Sequence, residues 1–171
     1  MRALVAGLGN VFLGDDGFGV EVVRLLRAEQ LPEGVQVGDY GIRSLHLAYE
    51  MTGARYDLTL LVDASPRGGA PGSLYVIEPD LDAAPTGPAP DAHTITPDAI
   101  FAAVRALGGV PGRVLVLGCE PHSVEEGIGL SAVVAGAARE AVGLVRELLE
   151  RERERKRNVS GHSGADRTAT A

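Results

Sequence analysis

Short apolar runs recur along the chain, each bounded by glycine, proline or aspartate, and they predict buried β-strands. The first run covers residues 3–8 and leads into a glycine-rich loop. Four later runs, at 35–37, 58–62, 74–77 and 114–117, predict further strands. Apolar runs without polar alternation are typical of a parallel sheet that is covered on both faces.

Between these strands the apolar residues follow the three-to-four-residue spacing of amphipathic helices. One helix is predicted from Asp16 onward, and a second follows Ser44 as its cap. Thr96 before Pro97 predicts the start of a third, and Ser131 caps a long last helix. The positions expected to face the core are Val20, Val23, Leu25 and Leu26, then Leu45, Ala48 and Met51, then Ile100, Val104 and Leu107, and finally Val134, Ala138, Ala141, Val145 and Leu148.

The alternation of strands and helices predicts an α/β domain, with a mainly parallel sheet of about five strands and helices on both faces. Such sheets bind ligands at the carboxyl ends of their strands, near a topological switch point. Three aspartates each follow a predicted strand: Asp16, Asp39 and Asp63. Residues 79–92 predict a long surface loop after the fourth strand, and His93 lies at its end. A loop of this length without a function is uncommon in a compact domain.

The end of the chain differs in composition from the rest. The domain is predicted to span 1–150 and the tail 151–171. Residues 151–157 continue the last helix as a charged end, which we interpret as solvated and not as a binding patch. Residues 158–171 are rich in Ser, Thr, Gly and Ala and are predicted to be disordered.

Charge is distributed unevenly, and this narrows the possible partners. The chain carries a net charge of −7. Residues 151–171 hold six Lys/Arg and three Asp/Glu, which leaves ten basic and twenty acidic residues, a charge of −10, in 1–150. Binding to a phosphate backbone depends on Lys and Arg, so an acidic domain argues against nucleic acid as the partner.

Three features bear on location. No stretch approaches the roughly 20 apolar residues that span a bilayer, so we expect no membrane partner. The opening residues predict a strand and not a signal peptide. The single cysteine, Cys119, cannot form a disulfide within the chain, which suits a reducing compartment. We therefore expect a cytoplasmic protein.

The candidate chemistry is carried by Asp16, Asp63 and His93. Two carboxylates and an imidazole at one edge of a sheet offer three ligands and leave positions open. That set suits nickel or zinc better than magnesium, which prefers oxygen alone. Each residue also has an ordinary structural explanation: a helix start, a strand-end turn and a surface loop, respectively.

Asp39 is a second kind of candidate. It ends the second predicted strand, where a turn or an Asx cap would account for it. Facing the same cleft, its carboxylate could act as a general base or share a proton with Asp63, as neighbouring carboxyl groups do.

The glycine-rich loop Gly7-Leu8-Gly9-Asn10-Val11-Phe12 only partly matches a dinucleotide-binding fingerprint. Phe12 stands where the third glycine would be, although Asp39 could contact a ribose. We instead expect Gly7, Gly9 and Asn10 to let the backbone approach a peptide substrate or to shape the pocket.

Other common catalytic arrangements are weak or absent. Cys119 lies three residues before His122, which suggests a thiol nucleophile, but cysteine is also a frequent core residue. His46 and His162 have no evident partner in the sequence. The chain contains no Gly-x-Ser-x-Gly, His-Glu-x-x-His or Cys-x-x-Cys motif, which argues against common serine hydrolases and zinc peptidases.

Taken together, these residues resemble a known family. The opening Gly7-Leu8-Gly9-Asn10-Val11-Phe12-Leu13-Gly14-Asp15-Asp16-Gly17-Phe18-Gly19 is similar to the signature of the hydrogenase maturation endopeptidases. The similarity continues, in order, through Asp39-Tyr40-Gly41, Leu61-Val62-Asp63-Ala64, Pro71-Gly72, His93, Gly118-Cys119-Glu120-Pro121 and Gly127-Ile128-Gly129-Leu130-Ser131. It covers residues 1–150. Some members carry Glu where this chain has Asp16, a shorter side chain that would move an ion slightly or bring in Asp15.

The resemblance implies a three-layer α/β/α sandwich of the phosphorylase/hydrolase-like type, with a twisted sheet. It implies an aspartic-type endopeptidase that trims the C-terminus of a nickel-loaded hydrogenase large-subunit precursor. The family's metal-contacting positions fall on Asp16, Asp63 and His93, and its further acidic position falls on Asp39. The nickel would arrive with the substrate, so no permanently bound metal is expected.

Some questions stay open at this point. Nickel could serve as a recognition element, with Asp39 or Asp63 activating water, or it could polarise the carbonyl itself. Competing hypotheses are a peptidyl-tRNA hydrolase-like enzyme, a dinucleotide-binding module and an inactive interaction protein. The first would need a histidine near the start of the first helix and a basic surface, and the sequence shows neither. The client, the scissile bond and the oligomeric state are not determined.

Overall fold

The computed structural model describes residues 1–81 and 97–162. Five strands and four α-helices alternate along the described chain, with a short 3-10 helix at Gly14–Gly17. The strands are β1 (Ala3–Leu8), β2 (Val35–Gly41), β3 (Leu58–Ala64), β4 (Leu74–Ile77) and β5 (Arg113–Cys119). The helices are α1 (Phe18–Leu26), α2 (Ser44–Gly53), α3 (Pro97–Ala106) and α4 (Ala132–His162).

The strands form one sheet in the order β2-β1-β3-β5-β4. β1, β2, β3 and β5 run parallel, and β4 alone runs antiparallel, against β5. From β1 the chain moves outward to β2 and then returns to place β3 on the other side of β1. The strand order therefore reverses between β1 and β3, and ligands of such sheets bind at the carboxyl ends beside this point.

The two faces of the sheet bury separate cores. On one face Ala3 and Val5 pack with α1 and α4, and on the other Leu4, Ala6 and Leu8 pack with α2 and α3. This assignment follows directly from the two-residue alternation of side chains along a strand. The predicted α/β/α sandwich is confirmed.

Most predicted core positions are buried, including all five of the last helix. The exceptions are Val20 and Leu25 in α1, Leu45 in α2 and Leu107 just after α3, which are exposed or only partly buried. Leu45 is 56% exposed, and Leu47 takes its place in the core. In α1, Val20 is only half-buried, and the buried row is formed by Phe18, Val22 and Leu26, which lie four residues apart on one face of the helix.

Several element ends differ from the predicted ones. Asp39 and Asp63 lie inside β2 and β3 instead of beyond them, because each still pairs with its neighbour, Asp39 with Gly7 and Asp63 with Gly118. Ser44 is the first residue of α2 and not its cap. Thr96, the predicted cap of α3, lies outside the described residues.

The C-terminal segment is more ordered than its composition predicted. α4 continues to His162, so residues 158–162 are helical, not disordered as predicted; residues 163–171 lie outside the described part. Glu152, 1% exposed, accepts a hydrogen bond of 2.7 Å from Arg113, the first residue of β5. The boundary at 150 therefore does not mark a structural division.

Across the described ranges, the structure contains no helix with both the length and the apolar character needed to traverse a bilayer.

Two glycines allow α1 to approach the sheet closely. A Cβ atom at Gly7 would lie 2.3 Å from the Gly19 carbonyl oxygen, and one at Gly19 would lie 2.0 Å from the Val62 carbonyl oxygen. Neither backbone group can move without disturbing a strand or a helix turn. The first turn of α1 therefore lies directly on β1 and β3, beside the switch point.

We expect Gly19→Ala to lower the free energy of unfolding by about 3 kcal/mol or more, since overpacking against backbone leaves no flexible atom to yield. Gly136→Ala is the matched control: it lies in α4 with open space around its Cα, and alanine there should stabilise the helix by up to about 1 kcal/mol. Urea denaturation of both variants provides the measurement. Equal stabilities would contradict the close-packing argument.

Candidate active site

The loop after β1 orients the carboxylate of Asp16. Gly9 has a φ of 115°, and a Cβ there would lie 1.7 Å from the Asp16 carbonyl oxygen, so the chain can fold back on itself only over a glycine. The Asn10 N–H donates to Asp16 Oδ2 at 2.7 Å, and the Phe12 N–H donates to Asn10 Oδ1 at 3.0 Å. Asp16 is therefore held at the carboxyl end of β1 by backbone geometry.

Asp63 lies beside it, near the end of β3 and only 7% exposed. Burial, and then the negative charge of Asp16, raise the pKa of Asp63 to about 7, against a smaller opposing effect from the Ala64 N–H. Two carboxylates on either side of the switch point thus repel each other where solvent screens them poorly. A divalent cation, or a proton, would relieve that repulsion.

Asp39 lies on the far side of β1 from Asp63. It pairs with Gly7 in the sheet, and Arg43 folds back over the end of β2 to donate to the Asp39 carbonyl oxygen at 2.5 Å. The suggestion that Asp39 shares a proton with Asp63 is not supported, because β1 separates their strands and the charged neighbour of Asp63 is Asp16.

His93 lies outside the described residues, so its part in the site stays a prediction. Within the two described stretches, no three His, Cys, Asp or Glu side chains gather closely enough to hold a metal ion. The structure brings together Asp16 and Asp63 from the predicted set of three.

The contacts of Gly7 and Gly9 are made within the chain. Both residues are buried, and each lies against a backbone carbonyl of the segment that follows, Gly7 against Gly19 and Gly9 against Asp16. Of the two roles considered for the loop, these contacts favour shaping the pocket. Asn10 contributes through its N–H to Asp16.

The environment of Cys119 argues against a thiol nucleophile. Its side chain is fully buried in the core between the sheet and α4. Burial, with the charges of Asp15 and Glu120, raises the pKa of the Cys119 thiol to about 11. A buried thiol that stays protonated at neutral pH is a packing residue.

Two acidic residues have structural roles that the sequence did not reveal. Glu120 accepts the N–H groups of Arg67 at 2.8 Å and Gly68 at 3.2 Å, and the Tyr75 hydroxyl at 3.1 Å, which holds the segment after Asp63. Asp15 is 1% exposed and accepts four hydrogen bonds, so its oxygens are occupied by the protein itself. No local signal distinguishes Asp15 from Asp16, since the two are identical neighbours.

Comparison with known proteins identifies the class. Residues 20–148 match the hydrogenase maturation protease family. The hydrogenase 2 maturation protease of Escherichia coli (strain K12) is 30% identical over 136 residues, which are 78% of this chain and 82% of that protein. The range matched by the family model, residues 20–148, includes Asp39, Asp63 and His93.

Solved structures agree. The hydrogenase maturating endopeptidase HybD from E. coli superposes with a TM-score of 0.72 at 28% identity, covering 88% of this chain and 93% of that one. The [NiFe] hydrogenase maturation protease HycI from Thermococcus kodakarensis KOD1 gives a TM-score of 0.71 at 25% identity, covering 87% and 92%.

The chain therefore belongs to the hydrogenase maturation protease family. It is a peptidase, and its function is the endopeptidase processing of a hydrogenase large subunit. The peptidyl-tRNA hydrolase, dinucleotide-binding and inactive-protein hypotheses are not favoured. The close contacts of Gly7 and Gly9 also account for the loop without a nucleotide.

We expect Asp16→Asn to lower the pKa of Asp63 from about 7 toward its ordinary value without reaching it, because burial remains and burial is the larger cause. Carboxyl-carbon NMR titration would follow Asp63 directly. Asp57→Asn is the matched control, since Asp57 lies just before the opposite end of β3 and the change removes the same charge. An unchanged Asp63 pKa in Asp16→Asn would show that the two carboxylates do not interact.

Proposed function

We propose that the substrate is the nickel-loaded large-subunit precursor of a nickel–iron hydrogenase, and that the reaction removes its C-terminal extension. The observation that carries this proposal is the Asp16–Asp63 carboxylate pair at the switch point, with Asp63 buried. The name of the Thermococcus relative, a [NiFe] hydrogenase maturation protease, is consistent with a nickel-containing client.

Nickel in this proposal is part of the substrate. Asp16 and Asp63, with His93, complete the coordination of the ion that the precursor carries, and no permanently bound metal is required. A cation between the two carboxylates favours the ionised form of Asp63, which burial otherwise disfavours. A precursor without the ion meets two mutually repelling carboxylates. The same pair thus distinguishes loaded from unloaded precursor.

Hydrolysis then needs a group that activates water, and we assign this to a carboxylate in an aspartic-type step. Asp63 is engaged with the ion in the bound state, which leaves Asp39 as the general base. With β1 between them, the strands of Asp39 and Asp63 lie roughly 10 Å apart, two interstrand spacings. Positioning by the ion contributes several kcal/mol to lowering the barrier, about 7–11 kcal/mol at most.

The same residues are compatible with direct polarisation of the scissile carbonyl by nickel. The two mechanisms differ in what they require of Asp39. The setting we propose for either reaction is the cytoplasm, where the single buried cysteine would stay reduced.

Incubation with nickel-loaded precursor should release a C-terminal peptide, detected as a mass loss in intact-protein mass spectrometry. Metal-free precursor should stay intact at the same enzyme concentration, because the carboxylate pair lacks the ion that brings the substrate into place. Equal cleavage of both forms would remove nickel from the recognition step.

Asp39→Asn should bind nickel-loaded precursor with unchanged affinity and cleave it at least about 100-fold more slowly, in line with the usual contribution of a general base. Binding is measured by calorimetry and cleavage by mass spectrometry on the same preparation. Asp57→Asn, remote from this edge, serves as the control and should match the unmodified protein in activity. Undiminished cleavage by Asp39→Asn would exclude Asp39 as the base and favour direct polarisation by nickel.

A further inference from the structure

The carboxylate of Asp15 joins two loops at the edge of the sheet. Its Oδ2 accepts the N–H groups of His122 at 2.9 Å and Ser123 at 3.0 Å and the Ser131 hydroxyl at 2.9 Å, and its Oδ1 accepts the Ser131 N–H at 2.7 Å. Burial would raise the pKa of Asp15, but these donors outweigh it and hold the pKa below its usual range. All four donors come from the segment between β5 and α4.

Backbone hydrogen bonds strengthen the same junction. The Gly14 N–H donates to the Gly127 carbonyl at 2.9 Å, the Asp15 N–H to the Ser123 carbonyl at 3.0 Å, and the Gly127 N–H to the Phe12 carbonyl at 2.9 Å. The loop after β1 is therefore attached along its length to the loop after β5. Ser131 directly precedes α4, where it was predicted as the cap, and its carbonyl accepts the Ala135 N–H at 2.8 Å. Its own N–H and hydroxyl connect the start of the helix to Asp15.

Asp15 and Asp16 are consecutive residues of one 3-10 turn. With three residues per turn, their side chains diverge by about 120° around its axis. Asp15 is directed inward to its four donors, which leaves Asp16 facing the Asn10 N–H and Asp63. Fixing the first side chain fixes the rotation of the turn, and so the place of the second.

We propose that Asp15 is a positioning residue that sets the location of the Asp16 carboxylate by clamping the turn to the β5–α4 loop. The proposal rests on the proposed function in one respect, that Asp16 contacts the substrate's nickel. Asparagine at 15 would keep one acceptor oxygen and turn its NH2 group toward an N–H donor, which breaks one side of the clamp. Burial and volume stay nearly the same.

The test uses four variants: Asp15→Asn, Asp16→Asn, their double mutant, and Glu152→Gln as the control. Glu152 is as buried as Asp15 and also accepts hydrogen bonds from more than one donor, Arg113 and Arg155. It lies in α4 near the amino-terminal end of β5, at the opposite end of the strands from Asp15. A merely structural loss should look alike in Asp15→Asn and Glu152→Gln.

The first readout is amide hydrogen exchange of Asn10, whose N–H is bonded to Asp16, relative to Leu60 in the core strand β3. We expect Asp15→Asn to speed Asn10 exchange at least tenfold beyond any change at Leu60, and Glu152→Gln to leave the ratio unchanged. An unchanged ratio in folded Asp15→Asn would overturn the proposal. This readout tests the role of Asp15 even if the protein cleaves no precursor. Absence of cleavage would contradict the proposed function but not the role of Asp15.

The second readout is cleavage of nickel-loaded precursor. Asp15→Asn should reduce it by about 10- to 100-fold, as expected when a contacting group moves by about an ångström. The double mutant should be no more than about threefold slower than Asp16→Asn, because both changes remove one interaction. Independent, multiplying losses would overturn the proposal.

If Asp15→Asn does not fold, Ser131→Ala takes its place, since it removes only the hydroxyl among the four donors. A several-fold increase in the Asn10 exchange ratio would support the clamp. An unchanged ratio with unchanged cleavage would count against it.

Discussion

The approach of α1 and its preceding turn to the sheet is the constraint on which the site depends. Glycines at 7, 9 and 19 remove the side chains that would keep the turn away, and backbone carbonyl groups occupy the vacated space. Only with that spacing does Asp16, carried by the turn, come within electrostatic reach of Asp63 at the end of β3. The strand order supplies the second requirement, because β1 and β3 are neighbours at the switch point.

Three buried carboxylates in the described part of the chain fall into two groups, which differ in their hydrogen-bond donors. Asp15 and Glu120 are surrounded by N–H and O–H donors, which hold the pKa of each below its usual range. Burial, and then the negative charge of Asp16, raise the pKa of Asp63, and the single donor Ala64 N–H opposes them only in part. A carboxylate whose oxygens all accept hydrogen bonds stabilises the fold. A carboxylate that is buried beside another acid can instead bind a proton or a cation.

The adjacent residues Asp15 and Asp16 have different roles in the two groups of carboxylates. Asp15 attaches the first loop to the loop after β5, and Asp16 projects from the same turn toward Asp63. Rigid support of Asp16 would suit the metal-dependent recognition that we propose, because coordination distances tolerate little movement. A site built in this way can remain open to a large protein substrate without losing its geometry.

Strand and helix periodicities are local properties, so the layered α/β fold, the positions of the strands and the acidic residues near their carboxyl ends could be predicted from the sequence. It also indicated the family, through motifs spread over most of the domain. Only the folded structure shows that the charged neighbour of Asp63 is Asp16 and not Asp39, that Cys119 is a core residue, and that Leu47 replaces Leu45 in the core. Only the folded structure separates Asp15 from Asp16, since the donors that occupy Asp15 lie more than 100 residues away along the chain. Burial and long-range hydrogen bonding have no signature in a local pattern, and they are what assign each carboxylate its role.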